Sequence, residues 1–325
     1  MRKRSAVAVG GLWGLLLGVL ASPGALAQGS QVSVATVPRK EDAPTRVIPR
    51  LHTFYKVGIA ARVNPTGLFT NLAFQVRYRL YESESPALKD NFISVGPVAF
   101  VSPAIARGGI GVEFQPLSLL QLSASYEGLS WFGNFNYLQS FPSPNADASD
   151  RRLAELGGEE GTNYASSGTL LTLAAVLQAK VGPLAVRTNP RLFNFNLRLR
   201  DGDSVFYEPV LDVVAPNGGW VATNDADVLY LAGRWMVGLR YTATGSFYRP
   251  QDYPAEEMDT GLNPTIHRVG PFVSYTFHDE PDRLFNAPTL VLISQWFLSH
   301  RYRTGAEVSQ AMPWVALAFQ FKGIP

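Results

Sequence analysis

The chain contains no cysteine among its 325 residues. Disulfides, thiol nucleophiles, cysteine metal sites and a lipid-bearing cysteine anchor are thereby excluded together. An excess of charge is missing too: 28 Lys and Arg face 26 Asp and Glu, for a formal +2. With no basic low-complexity arm beyond the first residues, nothing in the composition points to nucleic-acid binding. Past residue 28 there is no run of about eighteen consecutive apolar residues, so no membrane-spanning helix is expected. Metal-ligand groupings are equally scarce. The pair Asp225 and Asp227 has no accompanying ligands and reads as a solvated strand end, and no cofactor is implied.

What is present begins with an export signal. Arg2, Lys3 and Arg4 precede an apolar run from Ala6 to Leu20, and Ala25, Leu26 and Ala27 form a small-residue cleavage site, which places the cut before Gln28. Residues 28–50 mix Pro38, Pro44 and Pro49 with charges and show no apolar period, so they read as a flexible lead-in. Residues 51–325 then read as one folded unit.

Within that unit the dominant pattern has a period of two, which sends successive side chains to opposite faces of a strand. Leu68, Leu72, Phe74, Val76, Tyr78 and Leu80 share one face, while Asn71, Gln75, Arg77 and Arg79 share the other. The same alternation returns at Leu120 to Glu127, Leu171 to Lys180, Trp235 to Thr244 and Arg268 to Phe277. About twelve such segments can be drawn, near residues 51–63, 68–82, 91–103, 107–115, 119–131, 165–181, 183–200, 219–232, 234–248, 264–278, 288–303 and 312–322. Ten or fourteen are the alternatives, because Ser204 to Val214 fits either an extra strand or a loop. Between Leu184 and Arg200 the apolar positions change parity, which predicts a bulge near Pro190. Tight turns at 115–118 and 181–183 contrast with long polar loops at 132–164, 201–218 and 249–263. Segments long enough to cross a bilayer, joined by short and long connections, predict an all-β transmembrane antiparallel up-and-down barrel. Tyr55, Tyr78, Trp131, Trp235, Tyr302 and Trp314 are expected to flank its apolar band. A soluble barrel or sandwich, with the apolar face turned inward, is the competing architecture.

The last segment places Val315, Leu317, Phe319 and Phe321 on one face and Trp314, Ala316, Ala318 and Gln320 on the other. Here the chain resembles the bacterial outer-membrane β-barrel superfamily, whose members end in an alternating strand closed by an aromatic residue. The resemblance implies an outer-membrane location in a Gram-negative cell, outer-membrane lipids as surroundings, and Phe319 and Phe321 as a signal read by the barrel-assembly machinery. Lys322 to Pro325 extend past the usual terminal aromatic.

For chemistry, the inward face is the informative one. Lys56, Arg62, Arg77, Arg79, Lys180, Arg187, Arg198, Arg200, Arg240, Arg268, Arg301 and Arg303 fall on the polar side of the segments, opposed by Glu113 and Glu127. A narrow tube with such an excess would attract small anionic solutes. It is similar to the arginine-lined lumens of small monomeric channels that admit acidic sugars, with no shared motif. A passive channel is therefore the first functional expectation. A plugged barrel acting through long outer loops is the second, and a membrane-embedded hydrolase is the third.

The sequence argues against catalysis. Four histidines are available, at 52, 267, 278 and 300, and Ser299 with His300 is the tempting pair, yet strand neighbours point apart. The His, Ser and Asn arrangement of outer-membrane phospholipases and the His-x-Ser motif of lipid A deacylases are both missing. A hairpin centred near Leu117 would set Glu113 opposite Gln121, too far from Glu127 for paired acid and base work. Gly108, Gly109 and Gly111 read as a turn, since no helix follows them.

Overall fold

The computed structural model describes residues 49–280 and 284–324, so the export signal and nearly all of the lead-in lie outside the described residues. In chain order the elements are β1 (Leu51–Val63), β2 (Gly67–Tyr78), β3 (Phe92–Val101), β4 (Ile105–Leu117), β5 (Leu120–Phe132), the short β6 (Ser140–Phe141), helix α1 (Asp150–Gly157), β7 (Ala165–Val181) and β8 (Leu184–Leu197). They continue with β9 (Val205–Glu208), β10 (Val213–Pro216), β11 (Trp220–Ala232), β12 (Trp235–Phe247), β13 (Ile266–Thr276), β14 (Asn286–Ser299) and β15 (Trp314–Gly323).

Twelve of these strands form one closed antiparallel barrel, in which β1 closes against β15 in the register Ile59 with Phe319 and Val63 with Val315. Closure leaves no unpaired edge, the condition for a sheet to sit in lipid. The strand-by-strand alternation sets the two faces. Outward stand Leu68, Val76, Ile110, Tyr126, Val186, Val228 and Leu239, each at least 40% exposed. Inward stand Gln75, Glu113, Glu127, Asp227 and Arg240, each at most 2% exposed. A soluble barrel would reverse this arrangement.

Both ends of the barrel chain emerge on one side, with tight turns at 118–119, 182–183 and 233–234. The opposite, outer side carries the long connections 133–164, 198–219, 248–265 and 300–313, together with short turns at 64–66 and 102–104. Tyr78, Trp235, Tyr275, Phe277, Phe285 and Phe321 ring the side that bears the chain ends, where Trp235 packs on Tyr275 and Phe285 on Phe321 at 4.7 Å.

Several details correct the sequence reading. No bulge interrupts β8, which keeps a single register with β7 from Gly168 opposite Leu197 to Val181 opposite Leu184. The change of parity has another cause: Phe193, Phe195 and Leu197 point inward, where the outer third of the interior is apolar. Trp131 and Trp314 likewise face inward, buried to 2% and 1% exposure, and Tyr302 lies in the outer cap. Gly108, Gly109 and Gly111 lie within β4 rather than in a turn. At Gly109 the neighbouring strand comes so close that a Cβ would sit 2.0 Å from the Tyr126 carbonyl oxygen. Glu113 pairs with Ser123, not Gln121, because the β4–β5 turn lies at 118–119, past Leu117, and Leu117 pairs with Leu120. Residues 204–214 add no wall strand; they belong to a hairpin inside the barrel mouth.

Candidate functional site: the occupied lumen and its plug

The interior is layered. Nearest the chain ends, the Arg77 guanidinium is sandwiched between the rings of Phe54 and Phe92, at 4.4 and 3.7 Å. Glu113 lies 3.5 Å from Arg77 and 3.7 Å from Lys56. At mid-height is a denser ion-pair belt. Asp227 accepts from Arg187 Nε at 2.9 Å and from Arg240 Nε at 2.7 Å, and Asp225 accepts from Arg191 at 2.7 Å and from the Thr242 hydroxyl at 2.6 Å. Charges this far from water persist only when paired in good geometry, and these pairs are multidentate.

Above the belt stand Arg62, Arg107 and Arg268. Arg107 is 3.9 Å from Glu127, whose other oxygen accepts from Ser125. Arg268 lies over the Trp314 ring at 4.5 Å, with no carboxylate within ion-pair distance among the described residues. Arg62 reaches across the barrel to donate to the carbonyls of Pro209 and Val210, the latter at 2.5 Å.

Those carbonyls belong to the plug. The hairpin β9–β10, with β6 alongside, forms a three-stranded sheet in the barrel mouth, and every residue from 205 to 216 is buried. Phe206 packs on Trp131 and Phe195 below, while Phe141 of β6 and Leu153 and Leu156 of α1 cover the outer side. At the hairpin tip, Asp212 accepts from Tyr207 Oη at 2.7 Å and from Arg303 Nε at 2.6 Å, and it faces His300 Nε2 at 3.1 Å. Burial alone would raise the Asp212 pKa, but His300 and Arg303 hold it well below the usual carboxylate range. Arg303 also donates to Asp150 at the start of α1 and to Asn64 in the β1–β2 turn, so one guanidinium ties four outer connections together. Burial pushes the neighbouring Glu208 up to about 7, against the Leu211 N–H and the charges of Arg107 and Arg62.

The predicted lumen residues therefore divide. Lys56, Arg62, Arg77, Glu113, Glu127, Arg187, Arg240 and Arg268 lie inside the wall. Arg79 sits beyond the end of β2, and Lys180 lies half-buried at the last turn of the wall beside residues 182–183. Arg198 and Arg200 are exposed above β8, where Arg200 covers the Tyr164 ring. Arg301 and Arg303 follow the end of β14 and hold loops; Arg301 donates to the carbonyls of Ala146 and Asn145. For these four, the inward placement expected from parity fails because β8 ends at Leu197 and β14 at Ser299. Asp225 and Asp227 are a larger correction: they are buried in the belt, not solvated at a strand end. Arg107 and Arg191 went unread although each shares parity with an inward charge, Glu113 and Arg187. Nothing in the sequence marked Asp212 or Glu208, whose roles depend on the hairpin folding inward.

The histidines are engaged elsewhere. His300 Nδ1 accepts from the backbone N–H groups of Tyr302 and Arg303, and its Nε2 faces Asp212, so neither nitrogen is turned toward Ser299. His267 meets the Tyr241 hydroxyl on the outer wall at 2.6 Å, and His52 and His278 contact backbone carbonyls.

No protein-family model matches the chain, and no curated protein matches it in sequence. Among solved structures it resembles the CymD monoaromatic hydrocarbon channel, with 9% identity over 84% of this chain and 88% of that one and a TM-score of 0.37. It also resembles the Pseudomonas putida toluene transporter TodX, with 9% identity over 83% of this chain and 87% of that one and a TM-score of 0.33. A third is the translocator domain of the autotransporter NalP from Neisseria meningitidis, with 10% identity over 84% and 87% and a TM-score of 0.32. The chain's own closed strand order and apolar outer wall define the class, an all-β antiparallel barrel built to stand in a membrane.

Proposed function

We propose that this chain is exported by its amino-terminal signal and assembled into the outer membrane. There it stands as a barrel closed at rest, presenting the cap built from its four long connections to the cell exterior. The observation that supports a closed lumen is the burial of its charges. Lys56, Arg77, Glu113, Glu127, Arg187, Asp225, Asp227 and Arg240 are each at most 9% exposed, whereas side chains lining a wide aqueous pore stay wet. Planar-bilayer recording on the purified chain tests this reading. Long silent periods are expected, and a steady open conductance from every inserted molecule would refute it.

A second reading, passive passage of polar or anionic solutes, is favoured by one observation. A barrel built only as a wall gains little from buried ion pairs over apolar packing. The belt of Arg187, Arg191, Arg240, Asp225 and Asp227 fits a lumen that is wetted part of the time.

A further inference from the structure

We propose that the segment between Gly202 and Gly218 is a hinged gate, and that its outward swing opens a passage for small anions through the barrel. The proposal rests on the closed-barrel reading above and adds the moving part and the class of solute.

Three independent observations carry it. Both feet of the segment are glycines in the left-handed region, with φ of +87° at Gly202 and +69° at Gly218. The hairpin thus joins β8 and β11 at two points where the backbone turns with least steric resistance. The seam between hairpin and wall is also unevenly mated: Arg62, Ser246 and Tyr248 donate to hairpin carbonyls, while other buried donors facing the hairpin are left over. Two groups facing the hairpin, Nε1 of Trp131 and the three nitrogens of Arg107, have no hydrogen-bond partner among the described residues. A permanent core satisfies such groups, whereas faces that part are satisfied by water.

Charge sorting supplies the third observation. Glu208 and Asp212 travel with the hairpin, while Arg62, Arg107 and Arg268 belong to the wall, where Glu127 lies beside Arg107 and Asp225 of the belt acts on Arg268. Closed, Asp212 of the hairpin offsets the arginines, joined by Glu208 above about pH 7. Opening removes those acids, so the outer half of the lumen becomes positive, and a narrow low-dielectric tube focuses that field onto passing anions.

The test uses the full mature chain in planar bilayers under a potassium chloride gradient, with heat-modifiable gel migration to verify that each variant is a folded barrel. Replacing residues 203–217 by a short Gly-Ser linker should give a steady conductance that favours chloride over potassium by roughly threefold. A folded linker variant that stays silent, or that favours potassium, overturns the gate. Because the chain has no cysteine, Ala215→Cys places a single thiol on the fully buried β10. A membrane-impermeant maleimide should label it slowly from outside, and Arg303→Met should speed labelling by roughly tenfold or more by stranding Asp212. Absence of labelling in both backgrounds, while a thiol at exposed Glu159 reacts, also overturns it. A wild-type chain that is open at all times would refute the closed-barrel reading itself, whereas a silent linker variant refutes only the gate.

Discussion

Asp227 shows how much one side chain carries in this interior. Its two oxygens face Arg187 and Arg240, both almost wholly buried, so Asp227→Ala removes the carboxylate that both guanidinium groups share, while Asp225 is already engaged by Arg191. Breaking a buried pair by removing one partner costs about 3–5 kcal/mol, far more than the pair contributes over an apolar replacement. Urea unfolding in detergent, followed by loss of heat-modifiable migration, should show a drop of that size, against a change within about 0.5 kcal/mol for Glu159→Ala on the exposed cap. Glu208 makes a pH prediction. Burial raises its folded pKa from 4.5 to about 7 despite Arg107 and Arg62 nearby, so the neutral acid is the form that the plug accommodates. Its contribution is fully present below pH 4.5 and is lost as pH rises through about 7. The difference in unfolding free energy between wild type and Glu208→Gln should therefore shift between acid and alkaline buffer, by roughly 3 kcal/mol at most. A difference that stays flat from acid to alkaline pH would show that the plug leaves the Glu208 pKa where it is in the unfolded chain.

At the level of strands, period-two alternation was enough to find the wall, because a lipid-facing strand has one apolar face along its whole length and any shift of parity is costly. It could not find what fills the barrel. The inward faces of β8, β13 and β14 include Phe193, Phe195, Phe272 and Phe297, and sequence parity alone cannot tell an apolar residue facing a plug from one facing lipid. That ambiguity produced the false bulge at Pro190. The hairpin β9–β10 escaped for a related reason: its residues are buried on all sides, so no alternation remains to be read. Lys56, Glu113 and Arg240 are legible as inward charges from parity, yet parity alone does not reveal the mid-strand Arg191, Asp225 and Asp227, whose role depends on partners across the lumen, and it misplaces Arg198 and Arg303, which lie past the strand ends. Strand geometry itself yields a sharp test at Gly109. A side chain there must displace the Tyr126 backbone from 2.0 Å, so Gly109→Val should lower stability by more than about 2 kcal/mol or prevent barrel formation. Gly128→Ala, where the nearest atom is 3.8 Å away, should assemble with near-wild-type yield.

For the whole molecule, assembly comes down to one seam, the pairing of β15 with β1 that closes the barrel. Phe319 and Phe321 stand on the outward face of that seam, where Phe321 packs against Tyr55 and Phe285 in the aromatic ring beside the chain ends. The rings anchor the closed wall at the lipid interface, and we propose that they also present the terminal strand to the assembly machinery, the role that the resemblance implies. The two roles separate by experiment, because anchoring acts on the finished barrel and recognition acts on the rate of reaching it. Replacing both rings by leucine keeps apolar outward surface and backbone pairing while removing aromatic stacking, each pair of which is worth about 0.5–1.5 kcal/mol. If the rings only anchor, spontaneous refolding into detergent and machinery-assisted insertion into liposomes should slow together and modestly. If they are recognised, the assisted rate should fall by roughly tenfold while spontaneous refolding and urea stability change by no more than the stacking loss. The second outcome is expected, since the register from Tyr55 with Gly323 to Val63 with Val315 is held by backbone hydrogen bonds that the leucines leave intact.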